Sequence, residues 1–555
     1  MSEIIDYLKK LTGSPVYGRM WGWTKGHRRA LACLCLISLL TSALSLAVTQ
    51  FTRYIIDSAT AKQAGEAVIF AVLLITAVML QRLLKWAYDR LNVKENSRLL
   101  KEIRFETLRL VTRKKYSSLE GRHSGELVNR TLSDASQVVS GLMSIIPDIL
   151  SILATLIGAS VILILMDWRF LIFLAAGGIA MMLLIGFFKV RVRTLHRSMM
   201  EAEDEMHAGV QETMENLRVI KASGSEERRL SLAGIRFGKF ETAQNARGIF
   251  TANMNLAIGV IFQAGWLFAM IWGCVGLYHG TLTYGMLAAV LQLVNMVQQP
   301  IARMASVMAS AFTTASSAER IFELRDLPDE FENTEVLTSE ELKKWTRISA
   351  KNITFGYKEE KDILNDFSFE LNRGEFCAVT GPSGIGKSTM FSLLLGIYTT
   401  DKGKLTMQTS EREYPLGSGR RKLFAYVPQG NTLFSGTIRE NLTLFSGETK
   451  DENIKKALET ACIDKFVYSL PEGTDTVIGE RGIGLSEGQA QRIAIARALL
   501  SDAEILLLDE STSALDEETE AAFLKNLEQL KEKACFIVTH RKAALEICGK
   551  TINIE

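Results

Sequence analysis

The sequence predicts two unlike domains in one chain: an α-helical membrane domain of six transmembrane helices with long cytoplasmic extensions, then an α/β domain built around a phosphate-binding loop. Three observations predict this. The chain has 555 residues, more than one ordinary domain holds. Its hydrophobic fraction is 47% although 23% of residues are charged, so the apolar residues must be concentrated in one part of the chain. Finally, Gly381-Pro-Ser383-Gly384-Ile-Gly386-Lys387-Ser388-Thr389 fits G-x-x-x-x-G-K-[ST], between an apolar strand-like run, Phe376–Thr380, and a helical run, Met390–Leu395. Glycines in such a loop turn backbone N–H groups toward anionic oxygens, and the following helix N-terminus adds positive potential.

Composition excludes several classes. A net charge of +2, with acidic residues interleaved among the basic ones, gives no surface for nucleic acid. The seven cysteines (Cys33, Cys35, Cys274, Cys377, Cys462, Cys535 and Cys548) form no C-x-x-C pair and no zinc spacing with histidine, and read as small buried hydrophobes. The N-terminus opens on polar and charged residues, so a cleaved secretory signal is not expected.

Residues 1–29 mix Lys9, Lys10, Arg19, Lys25, Arg28 and Arg29 with Tyr17, Trp21 and Trp23, a composition suited to a membrane–water interface. Ala30–Val48 is then a charge-free apolar run long enough to cross a bilayer. Further apolar runs complete six spans, near 30–52, 67–88, 140–166, 169–190, 249–278 and 285–310, the second and sixth having the shortest apolar stretches. The connections alternate. Those at 52–66, 167–169 and 279–284 are short and carry few basic groups, whereas 82–148 and 189–248 are long and rich in Lys and Arg. Positive charge stays inside, which puts the N-terminus and both long connections in the cytoplasm. Helical periodicity in Glu102–Val111 and Met199–Val219 predicts that spans continue into the cytoplasm as long helices.

Gln292, Asn295 and Gln299 are spaced to share one helical face of the last span, and Asn253, Asn255 and Gln263 punctuate the fifth. Amides at membrane depth line a water-filled path or hydrogen-bond between helices, and the pattern fits both. Met254, Met270, Met286 and Met296 fit an adaptable cargo surface or plain packing.

Residues 1–324 form the expected membrane domain, the acidic stretch 325–345 with Pro328 a linker, and 346–555 the nucleotide-binding domain. In the last, short strands alternate with helical patterns. Its motifs follow in order: Tyr357 in Phe355-Gly-Tyr357, the phosphate loop, Tyr426-Val-Pro-Gln429, Leu485-Ser486-Glu-Gly488-Gln489, the apolar strand Ile505–Leu508 ending in Asp509-Glu510, Ser513-Ala-Leu-Asp516, and Phe536-Ile-Val-Thr-His540.

This series resembles the ATP-binding cassette (ABC) transporters, specifically half-transporters of exporter type with membrane and ATPase domains fused, and the likeness covers nearly the whole chain. It implies an α/β P-loop ATPase domain of ABC type, with ATP and Mg2+ as cofactors. By the resemblance, Tyr357 stacks on adenine, while Gly381, Ser383, Gly384, Gly386, Lys387, Ser388 and Thr389 cradle the phosphates. Ser388, Asp509 and Gln429 attend Mg2+. Glu510 is the general base, and His540 and Gln429 complete the catalytic set. Ser486, Gly488 and Gln489 face a nucleotide held by a second chain, so each site needs two chains. Asp516 lies near that interface, and Glu480 meets the cytoplasmic loops, which dock near Ser117–Glu120 and Lys221–Gly224. Gln263, Gln292, Asn295 and Gln299 are candidates for the translocation path.

Two departures stand out. Glu487 replaces the commoner glycine of the signature, and the chain ends soon after His540, where relatives usually add a helical tail that strengthens dimer contacts. No N-terminal peptidase domain is seen, against a transporter that cleaves leader peptides. The expected activity is ATP-driven export of a small molecule, peptide or lipid by an alternating-access dimer. The protein is expected in the bacterial plasma (inner) membrane, with its N-terminus and ATPase domain cytoplasmic. A homodimer is favoured over a heterodimer because the catalytic set is complete. The alternatives are an importer with the exporter fold, such as a siderophore carrier, and an ATP-gated channel or regulatory subunit.

Overall fold

The structure, a computed structural model, describes residues 15–554 apart from 123, 332–334, 358–361, 383, 431, 448, 480–483 and 531–532. The chain divides into two compact units, one made of the residues up to Leu108 with Ser124–Glu323, the other of 109–123 with 324–555.

The first unit is helical. In chain order the helices are α1 (Pro15–Trp23), α2 (Arg28–Thr60), α3 (Ala64–Arg113), α4 (Tyr116–Leu119, part of the second unit), α5 (Ser124–Asn129), α6 (Ala135–Met166), α7 (Arg169–Glu215), α8 (Leu217–Ser223), α9 (Glu226–Tyr278) and α10 (Tyr284–Arg325). Among the described residues, five helices are long and apolar enough to cross a membrane: α2, α3, α5 continued into α6, α9 and α10. Helix α7, where the fourth span is expected, carries a shorter apolar stretch, Ala176–Phe188. The second and sixth expected spans sit in helices of 50 and 42 residues, because neither Gln81 nor Pro300 stops the helix. A proline inside a membrane helix is tolerated when neighbours meet the freed carbonyl groups.

Hydroxyls along α2 show how its polar groups are met. Thr41, Ser45, Thr49 and Thr52 each donate to the carbonyl four residues earlier, at 2.9–3.2 Å. Ser38 donates to the carbonyl of Pro147 at 2.9 Å, tying α2 to α6. Helices α7 and α9 run along each other, as do α2 and α6. One buried cluster joins Leu34, Leu99, Ile103, Val138, Met143 and Phe322, with Val16 and Met20 of α1 packed into it. Beside it, His27 Nδ1 lies 2.7 Å from Glu95 and Nε2 3.3 Å from Glu102.

Among the described residues, the second unit has two larger sheets and a short antiparallel strand pair. Strands β1 (Trp345–Phe355), β2 (Leu364–Asn372), β4 (Lys402–Thr409) and β5 (Glu413–Pro415) form an antiparallel sheet in the order β2-β1-β4-β5. Strands β3 (Phe376–Thr380), β6 (Phe424–Val427), β9 (Ile505–Asp509), β10 (Ala534–Val538) and β11 (Lys550–Asn553) form a parallel sheet ordered β11-β3-β10-β9-β6, and β7 (Gly436–Thr437) pairs β8 (Val477–Ile478). Helices α11 (Ser339–Leu342), α12 (Lys387–Leu394), α13 (Ile438–Thr443), α14 (Asp451–Thr460), α15 (Asp464–Ser469), α16 (Glu487–Leu500), α17 (Glu517–Glu528) and α18 (Lys542–Ile547) complete it. Every residue of β9 and β10 is buried, which explains their unbroken apolar runs: a parallel strand is covered on both faces.

The parallel register fixes the site. Val538 of β10 stands opposite both Val379 of β3 and Asp509 of β9, and Leu508 stands opposite Val427 of β6. Four strands therefore end side by side. Their next residues are the phosphate loop, Glu510, Thr539-His540 and Pro428-Gln429.

Segment 109–123 is anchored to the start of the 324–555 stretch. The Lys115 and Glu330 amides donate to the Pro328 and Arg113 carbonyls. The buried Lys114 ammonium donates to the carbonyls of Arg325 and Leu327 and pairs with Asp329 at 2.7 Å.

Candidate active site

Ligands in open parallel sheets bind outside the carboxyl ends of the strands, and the phosphate loop, Gln429, Asp509, Glu510 and His540 lie at or just beyond such strand ends. Gly381, Gly384 and Gly386 all have positive φ, which side chains other than glycine rarely adopt. A Cβ on Gly386 would lie 2.6 Å from Ile363 Cγ2, and one on Gly381 would lie 2.6 Å from the Ile554 carbonyl oxygen. Both conformation and space therefore require glycine. Lys387 opens α12, is buried, and donates to the Gly381 and Pro382 carbonyls at 2.8 and 2.9 Å. Ser383 lies outside the described residues.

Ser388 donates to the Asp509 carboxylate, and the Tyr426 hydroxyl donates to Asp509 Oδ2 at 3.2 Å. Burial pushes the Asp509 carboxyl above the usual carboxylate range. The Ser388 and Tyr426 hydrogen bonds and the Lys387 charge oppose that rise, and the Glu510 charge adds to it. Glu510 has φ +47°, a left-handed conformation that is costly for a residue other than glycine. Its carboxylate accepts from Gln429 Nε2 at 2.8 Å. Asp509 and Glu510 thus present two carboxylates to different partners, one to a hydroxyl pair and one to an amide.

The other candidates are placed as follows. Tyr357 bonds Thr389 through their hydroxyls at 3.2 Å and meets the Tyr398 ring edge-on at 5.3 Å. His540 is exposed just beyond β10. Ser486 caps α16, accepting from the Gln489 amide, while the Gln489 side chain accepts from Ser486 N at 2.9 Å. Gln489 is thus engaged in closing this cap. Glu487 is the exposed first residue of α16, where negative charge favours the helix dipole. The α-carbon of Gly488 abuts a carbonyl: a Cβ there would lie 2.8 Å from Ala514 O. Asp516 caps α17 by accepting from Thr519 N at 2.9 Å, and this bond holds its carboxyl below the usual range. Among the described residues, no hydrogen bond joins Ser486, Gly488 or Gln489 to residues 381–389. Glu480 lies outside the described residues.

In the helical unit, Gln263, Asn295 and Gln299 line one cleft of about 540 Å³ with Gly259, Phe262, Trp266 and Gln298. Gln292 is exposed and does not line it. Gln298, absent from the candidates, donates to the Phe262 carbonyl at 2.9 Å and bridges α9 and α10.

Sequence reasoning missed Tyr426, Tyr398 and Arg541. Tyr426 stands beside the recognised Gln429, but its hydroxyl reaches Asp509 only because β6 and β9 are neighbours in space. Tyr398 donates to Glu120 Oε1 at 2.7 Å and meets Tyr116 edge-on, so segment 109–123 touches the tyrosine that packs on Tyr357. No local pattern announces such a pairing.

A phosphate loop, a capped signature helix and paired strand-end carboxylates, fused to a bundle of membrane-length helices, define an ATP-driven membrane transporter. The comparisons name the family: the profile described as ABC transporter transmembrane region matches residues 31–301, the profile described as ABC transporter matches 364–513, and the chain belongs to the ABC transporters. YgaD of Bacillus subtilis (strain 168), provisionally named a multidrug export ATP-binding/permease protein, is 27% identical over 97% of this chain and 94% of its own length. The ATP-dependent lipid A-core flippase of Vibrio vulnificus (strain YJ016) is 30% identical, over 79% of this chain and 75% of its own. The structure of a bacterial Atm1-family ABC exporter with ATP bound matches with a TM-score of 0.79 at 23% identity, covering 95% of this chain and 93% of that one. The fold is therefore that of an ABC exporter.

Proposed function

We propose that this chain is one half of a dimeric exporter that couples Mg2+-dependent ATP hydrolysis to the outward movement of a small molecule, peptide or lipid. The single observation that carries the reading is the strand-end constellation: Glu510 held by Gln429 at 2.8 Å, beside Asp509 held by Ser388 and Tyr426. The oxygens of Ser388 and Asp509 suit a hard cation, and with Gln429 they would hold Mg2+, which neutralises phosphate charge during transfer. Loop 381–389 binds the phosphates through its N–H groups and Lys387. Tyr357 supports the base of the nucleotide. Glu510 accepts a proton from the attacking water, and Gln429 orients the Glu510 carboxylate. His540 stabilises charge on the transferred phosphoryl group.

Ser486 and Gly488 form the other face of the site. Among the described residues, their α16 terminus makes no hydrogen bond to loop 381–389 of the same chain, which supports a second copy as the source of that face. ATP binding then draws two cassettes together, and hydrolysis releases them. Outward transport is supported by the relatives' names, which describe multidrug export and a lipid A-core flippase. The amide cleft of Gln263, Asn295, Gln298 and Gln299 is the proposed contact with cargo. The positive-inside pattern supports a cytoplasmic ATPase domain, and the bacterial relatives support a place in a bacterial inner membrane.

The test is Glu510→Gln in purified protein reconstituted in vesicles. The variant is expected to bind ATP and to stop turning over. ATPase activity equal to the parent's removes Glu510 from its role. Uptake of labelled lipid or dye into inside-out vesicles reports direction, and light scattering of the protein purified alone reports the dimer.

A further inference from the structure

We propose that Arg541 is a positioning residue of the ATPase site: its guanidinium clamps the 513–515 backbone to Glu520, and so fixes the loop behind Glu510 and the strand end bearing His540. Neither motif reading nor the roles proposed above use this side chain. Arg541 Nη2 donates to the Ser513 carbonyl at 2.8 Å, and Nη1 donates to the Leu515 carbonyl at 2.9 Å and to Glu520 Oε2 at 2.7 Å. The Glu520 side chain is only 3% exposed. A buried carboxylate away from the reacting groups needs such a partner, and breaking the pair strands its charge.

Each contact leads to a functional group. The Ser513 amide and hydroxyl both donate to the Glu510 carbonyl, at 3.1 and 2.7 Å, so the clamped residue holds the backbone of the proposed base. That backbone is left-handed, and a strained conformation persists only where its surroundings over-determine it. Arg541 directly follows His540, and its own amide donates to Thr539 Oγ1 at 3.1 Å. The Glu520 amide donates to the Asp516 carbonyl at 2.9 Å, in the first turn of α17. Between the two clamped carbonyls lies that of Ala514, the one that abuts Gly488. A single planar fork therefore ties together Glu510, His540, the Asp516 cap and the signature glycine. Lysine cannot reproduce this, because it offers a point charge and no fixed fork.

The proposal rests on Glu510 and His540 acting as assigned above, and the experiment separates the two. Arg541→Lys keeps the charge opposite Glu520 and loses the fork. In the reconstituted full-length protein it is expected to lower kcat at least tenfold, with KM for ATP within twofold and thermal midpoint within about two degrees. Glu520→Gln, which keeps the size of the side chain, is expected to act in the same direction. The double variant is expected to be no slower than Arg541→Lys alone, since both act on one clamp. ATP affinity, measured in a Glu510→Gln background, is expected to be unchanged by Arg541→Lys. The clamp is refuted if Arg541→Lys retains kcat within twofold of the parent, or if ATP affinity and thermal midpoint fall together with kcat. If Glu510→Gln itself turns over normally, the assignment of the base is wrong. If it does not, and Arg541→Lys is active, only the clamp fails.

Discussion

Replacing Tyr426 by Phe removes one hydroxyl and leaves the ring in place against Phe391, 6.1 Å away between centroids. The hydroxyl donates to Asp509 Oδ2 at 3.2 Å, and Asp509 is only 4% exposed, so no bulk water replaces it. A hydrogen bond to a charged group contributes about 1.5–3 kcal/mol. At 3.2 Å, with Ser388 still donating, about 1–2 kcal/mol is a reasonable share, or about five- to thirtyfold in an equilibrium constant. The lost donor stabilised the ionised carboxylate, so the already raised Asp509 pKa rises further. The acid limb of the ATPase pH profile should therefore move to higher pH. At neutral pH, the Mg2+ concentration giving half-maximal ATPase should increase by the same five- to thirtyfold, with little change in thermal midpoint. The assay is phosphate release against Mg2+ at saturating ATP, from about pH 5.5 to 8.5, in Tyr426→Phe and parent. An unshifted acid limb together with an unchanged Mg2+ requirement would show that Tyr426 does not act on Asp509.

Gly386→Ala should weaken nucleotide binding at least tenfold, because its Cβ meets Ile363 at 2.6 Å and φ is +112°; titration with a fluorescent ATP analogue checks it. Burial alone would lower the His27 pKa, but its hydrogen bonds to the accepting carboxylates of Glu95 and Glu102 leave it raised, while the His27 bond holds Glu95 low. The His27 contribution is therefore full below its ordinary value of about 6.5 and lost as pH rises through the raised pKa. The Glu95 contribution is present above its ordinary value and lost as pH falls through the lowered one. Thermal midpoints in detergent should thus peak near pH 5–6.5, and His27→Gln should flatten that peak. Tyr398→Phe, which loses the bond to Glu120, should keep ATP hydrolysis within about threefold while cutting transport in vesicles more strongly; equal losses would refute a coupling role.

Much of the candidate site was legible because its motifs are short runs of consecutive residues. Glycines at 381, 384 and 386, a lysine opening a helix, and an apolar strand closed by Asp509-Glu510 are local features. Each can be recognised without knowing what lies beside it. Five of the six expected spans coincide with helices of membrane length among the described residues, since apolar length is a property of the sequence alone; the fourth coincides with the shorter stretch Ala176–Phe188. What escaped depends on neighbours distant in the chain. The Tyr426–Asp509 bond needs the strand order β9-β6, and the Arg541–Ser513 bond needs the loop after β10 to fold back over the loop after β9. Gln489 was legible as part of the signature, yet its side chain serves the helix cap, a use that the motif does not announce. Of the aligned amides, Gln292 does not line the cleft, while Gln298, outside that set, does, because a periodic face does not specify which flank a neighbouring helix covers.

Segment 109–123 belongs, by its contacts, with residues made more than 200 positions later. Lys114 is the clearest instance: its buried ammonium is met by the carbonyls of Arg325 and Leu327. During synthesis this segment emerges long before its hosts, and stays unmatched until the whole helical unit has been made. The composition change near residue 325 therefore marks where the chain alters character, not where the molecule comes apart. An ATPase fragment cut at that point would fold around an empty berth, with two carbonyls facing water. Adding back a peptide spanning 109–123 should bind there, giving the nucleotide unit a thermal stability that it lacks alone.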